Sequence, residues 1–159
     1  MSVDIRVRAE FSSRIPRDRL RRIAKRTLRA EGADSPVTLY FTSNSEIRKL
    51  NRAFHATDAA TDVLAFPGWS VPTRPTAKKH SFPRAAPAAR AGSYLGDVVV
   101  SYEQARKQAR AAGWHVADEL ELLTVHGLLH LLGYDDLNPP ARKRMWKRQA
   151  EILGRELGE

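Results

Sequence analysis

Between Leu120 and Leu132 apolar residues fall on nearly every side of a helix: Leu120, Leu122, Leu123, Val125, Leu128, Leu129, Leu131 and Leu132. A helix apolar all round leaves no face for water and must be central and buried. The rest of the chain therefore has to enclose it. Glu121, His126 and His130 interrupt the run. The two histidines are four apart, so their imidazoles leave one face of the helix, one above the other. Gly133 supplies a helix stop, because glycine adopts the left-handed conformation without steric penalty. Beyond that turn the chain can fold back, and Asp136 is placed to join the imidazoles.

His126, His130 and Asp136 thus form a candidate three-ligand metal site with an open fourth position. Three protein ligands describe a catalytic zinc, whereas a structural zinc usually has four. A lone histidine on an apolar helix is usually a packed core residue. A pair at this spacing, followed by a glycine turn and the carboxylates Asp135 and Asp136, favours the metal. The chain has no cysteine, so disulfides and thiolate ligands are excluded and any metal is held by nitrogen and oxygen.

At 159 residues the expectation is one domain spanning 1–159, with a substantial core. The start lacks the apolar segment of a signal peptide, and no apolar run reaches membrane-spanning length. The expected setting is the cytoplasm, with no membrane partner. The net charge of +9 suggests a polyanionic partner such as nucleic acid.

Val3, Ile5 and Val7 alternate with polar residues and predict a strand over 3–8. Pro16 suits a first helical position, and Leu20, Ile23, Ala24, Thr27 and Leu28 form the stripe of a helix ended by Gly32. Its other face carries arginine and lysine, a pattern that usually means a solvated face. Val37–Thr42 predicts a second strand, and Ser43 to Glu46 a capping box opening a helix to about Ala53. A third strand runs from Thr61 and is stopped by Pro67. Residues 68–93 are rich in Pro, Ala, Arg, Lys and Ser and predict a mobile insertion. Tyr94–Val100 predicts a buried strand. Ser101 to Gln104 and Asp118 to Glu121 predict the caps of the next two helices. Asn138-Pro139-Pro140 opens the last helix, with Met145, Trp146, Gln149, Ile152 and Leu153 facing inward.

A zinc held by two imidazoles and a carboxylate would lower the pKa of its water to about 7 and polarise a phosphoryl or carbonyl oxygen. Metallopeptidases with His-Glu-x-x-His place a general base after the first histidine. Gly127 stands there instead, so phosphodiester hydrolysis on a basic surface is the stronger reading.

The segment His126-Gly-Leu-Leu-His130-Leu-Leu-Gly-Tyr-Asp135-Asp136 closely resembles the signature of the YbeY family of bacterial endoribonucleases, the rRNA maturation factors. Asn51, Thr61-Asp62-Val63-Leu64, Phe66-Pro67, Leu95-Gly96-Asp97 and Ser101 also fall where that family has them. The resemblance implies an α+β fold, with a small mixed β-sheet packed by helices and the metal helix at its centre. It implies a metal-dependent, single-strand-preferring endoribonuclease. Such an enzyme matures the 3′ end of small-subunit rRNA and serves ribosome quality control. The implied partners are single-stranded RNA, rRNA, the small ribosomal subunit and ribosome-associated proteins. One divalent ion is implied, zinc above others, on His126, His130 and Asp136, with His126 in the catalytic centre.

The chain departs from the family at two places. Asp136 stands where the family usually has a third histidine, adding a negative charge that favours harder ions. His55 stands where the family typically has an arginine that meets phosphate. It could act as a protonated phosphate contact or an acid–base group. Ala65 also replaces a common serine. Asp135 matches the family's aspartate and is expected to orient a ligand or cap its turn. These changes leave an alternative, a catalytically weak RNA- or ribosome-binding module of the same fold.

Overall fold

The computed structural model describes residues 2–55, 61–68 and 93–155, with His55 as backbone only. Strand β1 (Val3–Val7) leads through a short 3-10 turn (Ala9–Phe11) to helix α1 (Arg17–Ala30). Strand β2 (Val37–Thr42) and helix α2 (Asn44–His55) follow, then β3 (Val63–Pro67) and β4 (Gly96–Ser101). Helices α3 (Tyr102–Ala112), α4 (Val116–Leu131) and α5 (Pro139–Leu153) complete the chain. The predicted insertion at 68–93 lies almost wholly outside the described residues.

The sheet is mixed, in the order β1-β2-β4-β3, with β3 antiparallel to β4 and the other pairs parallel. The fold is therefore α+β, as expected. Strand alternation divides the apolar residues between its two faces. Leu39, Phe41, Val98 and Val100 join α1 and α4 in the main core, and Tyr40, Val99, Leu64 and Phe66 pack under α2 with Ile47 and Leu50.

Helix α4 is central, as its apolar circumference requires. Leu120, Val125, Leu128 and Leu129 are fully buried on it. Gly127 brings it unusually close to the sheet: a Cβ there would stand 2.4 Å from Val98 Cγ1. The glycine that argues against a peptidase base is thus needed for packing.

Three local details differ from expectation. Pro67 does not stop β3 but ends it, paired opposite Gly96. Proline is tolerated there because β3 is an edge strand. Helix α4 begins at Val116 after His115, which makes no side-chain cap. Asp118 keeps part of the cap, its carboxylate accepting from the His115 backbone, and Asp118 and Glu121 both accept from Arg19 Nη2, at 2.6 and 2.7 Å, tying α4 to α1. Half of the first capping box forms. Ser43 Oγ accepts the Glu46 N–H at 3.1 Å, but the Glu46 carboxylate turns to the Tyr40 and Thr42 hydroxyls.

Candidate metal centre

The two histidines leave α4 at its last turns, where the helix closes in a Schellman motif. Gly133 N–H donates to the His130 carbonyl at 3.1 Å and Tyr134 N–H to the Leu129 carbonyl at 2.9 Å. Gly133 has φ of 103°, which a side chain would strain. This turn brings the Tyr134 carbonyl back over His130, whose Nδ1 donates to it at 3.0 Å. His126 Nδ1 donates to Gln149 Oε1 of α5 at 2.6 Å.

These two bonds fix the imidazoles chemically. A carbonyl oxygen only accepts, so each Nδ1 carries the hydrogen and each Nε2 presents a lone pair. The rings meet edge-on with centroids 4.5 Å apart, and their Nε2 atoms are 3.0 Å apart. Two lone pairs facing one another at that distance repel unless a proton or a cation lies between them. Two ligand bonds of 2.0–2.1 Å at a tetrahedral angle would separate such nitrogens by about 3.3 Å. Asp136 completes the group: a ligand atom from each of His126, His130 and Asp136 lies within 4.8 Å of the others. The histidines are half-buried and Asp136 is exposed, so the group opens to solvent. Burial, reinforced by the neighbouring His126, holds the His130 pKa below the ordinary histidine value, while Asp136 opposes the shift. The lowered pKa favours the neutral imidazole, the form that a metal ion would require. The donor set fits a divalent cation.

Gln149 and the Tyr134 carbonyl are the orienting groups that the sequence pattern did not single out. The signal was present at Gln149, a polar residue on the inward face of α5 between Met145 and Ile152. It is buried, and its Nε2 has no hydrogen-bond partner among the described residues. Tyr134 is itself anchored. Arg148 Nε donates to Glu31 Oε2 at 2.6 Å and Arg148 Nη2 to the Ala30 carbonyl at 2.9 Å. The Tyr134 phenol is raised above its usual pKa by burial and then by its hydrogen bond to Glu31.

Asp135 accepts the Leu137 N–H at 3.2 Å, the turn role among its two expected ones. His55 is the last residue of α2, and its side chain lies outside the described residues. A cavity of about 630 Å³ lies on the α2 face of the sheet and is lined by neither imidazole. Its aromatic walls include Tyr40, Phe54, Phe66 and Tyr94.

A family model described as Endoribonuclease YbeY matches residues 5–156. An Endoribonuclease YbeY from Dehalococcoides mccartyi strain CBDB1 is 36% identical over 161 residues, covering 100% of this chain and 95% of the relative. Another from Pelotomaculum thermopropionicum is 38% identical over 138 residues, covering 86% and 83%. One from Bacillus licheniformis is 35% identical over 151 residues, covering 91% and 89%. The solution structure of a Thermotoga maritima protein has the same fold, with a TM-score of 0.59 at 24% identity, over 96% of this chain and 89% of that one.

Proposed function

The chain belongs to the YbeY family of endoribonucleases, and from that premise we propose that it cleaves single-stranded RNA in a metal-dependent reaction. The RNA is the 3′ region of small-subunit ribosomal RNA, during its maturation and in ribosome quality control. The chain works as one domain over 1–159, in the cytoplasm, with the small ribosomal subunit and its associated proteins as partners. His126, His130 and Asp136 hold one divalent ion, zinc, and His55 assists as a phosphate contact or acid–base group.

The observation that carries this reading is the pair of Nε2 lone pairs at 3.0 Å, each forced outward by a carbonyl acceptor at Nδ1. A divalent cation in such a site supplies Lewis acidity toward a phosphoryl oxygen and a water that ionises near neutral pH. The residues of the chain supply position. Gln149 and the Tyr134 carbonyl hold the tautomers, burial favours the neutral form of His130, and exposed Asp136 leaves one side open to a strand. No general base follows His126, which fits phosphodiester rather than peptide hydrolysis.

The test is cleavage of a single-stranded RNA containing the small-subunit 3′ precursor sequence, with metal content measured on the same sample. Chelation should abolish cleavage and zinc restore it. His126→Ala should lose both metal and cleavage while keeping its far-UV spectrum. Full cleavage by metal-free protein, or by His126→Ala, would overturn the assignment.

A further inference from the structure

We propose that a groove between the 3-10 turn and α3 is a docking site for the phosphates of single-stranded RNA, separate from the histidine group. The inference rests on RNA being the substrate. The groove encloses about 350 Å³. Its floor is the ring pair Phe11 and Tyr102, with centroids 5.0 Å apart. Arg14 stands on one wall and Arg106, Lys107 and Arg110 on the other, all four exposed.

Among the described residues none of the four has a carboxylate within 4.0 Å. Arg6, Arg8, Arg19 and Arg148 are each paired with one. Glu103 is the acid of the groove, and its Oε1 accepts the Asn44 backbone N–H at 2.8 Å, committing it to the start of α2. Arg106 and Arg110 are four apart on α3, and Lys107 and Arg110 three apart. Like charges at these spacings destabilise a helix. A polyanion laid across them relieves that repulsion and releases its own counterions. The basic runs on α1 and α5 line neither this groove nor the larger cavity on the α2 face. Here the cations converge on a concavity from two separate elements.

Helix α3, which carries three of the four cations, meets α4 at the end away from His130. Gln108, beside Lys107, donates to Glu119 Oε2 at 3.1 Å near the start of α4. His130 lies at the other end of that helix, about 16 Å along its axis at 1.5 Å per residue.

The experiment measures binding of a 20-nucleotide single-stranded RNA by fluorescence anisotropy across a salt series, with the full chain. The variant R106A/K107A/R110A should bind at least tenfold more weakly at low salt. Its log–log salt slope should shrink by about 2, at roughly 0.7 for each phosphate no longer neutralised. Arg14→Ala, on the opposite wall, should reduce the slope by about 0.7. R142A/K143A/K147A removes the same charge from α5 and should leave the slope unchanged. An unchanged slope in the α3 variant, or an equal loss in the α5 control, would overturn the docking site while leaving the nuclease reading intact. Wild-type protein that neither binds nor cleaves RNA would overturn both.

Discussion

Gln149 Oε1 accepts the Nδ1 hydrogen of His126 at 2.6 Å, across the interface between α5 and α4. The bond selects the tautomer in which Nε2 carries the lone pair facing His130. Replacing Gln149 by Leu removes that selection and also removes the unpartnered Nε2 donor, whose burial costs about 1–3 kcal/mol. Gln149→Leu should therefore keep its melting temperature within a few degrees yet bind zinc 10- to 100-fold more weakly. Competition with a chromophoric chelator, set beside a thermal melt, checks this. Unaltered zinc affinity would remove Gln149 from the centre.

Asp136 places a hard, charged oxygen within 4.8 Å of an imidazole nitrogen of each histidine. Asp136→His should raise zinc affinity relative to manganese, because imidazole suits zinc and a carboxylate suits harder ions. Asp136→Ala should weaken both. Competition titrations with the two metals give the ratio. A ratio that does not move in Asp136→His would mean the side chain is not a ligand.

Gly127 has no room for a methyl group, since its Cβ would stand 2.4 Å from Val98 Cγ1 and 3.2 Å from Val63 Cγ2. Gly127→Ala should destabilise the fold by about 1–3 kcal/mol through overpacking. Adding Val98→Ala should recover part of that loss, because the closest obstruction is then gone. Urea melts of the single and double variants test it. Additive losses would show that the two positions do not share the strain.

Glu119 is buried at the start of α4, accepting from Trp114 Nε1 and Gln108 Nε2, both at 3.1 Å. Burial pushes its pKa above the usual 4.5, although both hydrogen bonds favour the anion. The folded state therefore holds this proton more tightly than the unfolded one. That stability is complete below pH 4.5 and is lost as pH rises through the folded pKa. Glu119→Gln cannot titrate. Its unfolding free energy relative to wild type should thus improve between pH 4.5 and neutrality, whatever the offset at low pH. Denaturant melts that stay parallel across that range would refute the shift.

What the sequence determined by itself is local and periodic. The buried helix follows from Leu120–Leu132 being apolar on every side, and the shared face of His126 and His130 from a four-residue interval on that helix. The turn beyond them follows from Gly133. Strands β1, β2 and β4 follow from alternation or from unbroken β-branched runs, because each pattern repeats with the geometry of its own backbone. The resemblance to a known family covered most of the remaining plan, including the α+β class.

Only the tertiary structure decided which distant groups meet. Nothing in the interval from His126 to Gln149 fixes a hydrogen bond between them, which exists because α5 packs its inward face along α4. The demand for glycine at 127 comes from Val98 on a different element. Asp118 and Glu121 read as caps because acids suit a helix start, but nothing in that pattern says that both also hold Arg19 of α1. Spacing along one helix is set by backbone geometry alone, whereas the meeting of separate elements depends on how the whole core fills space.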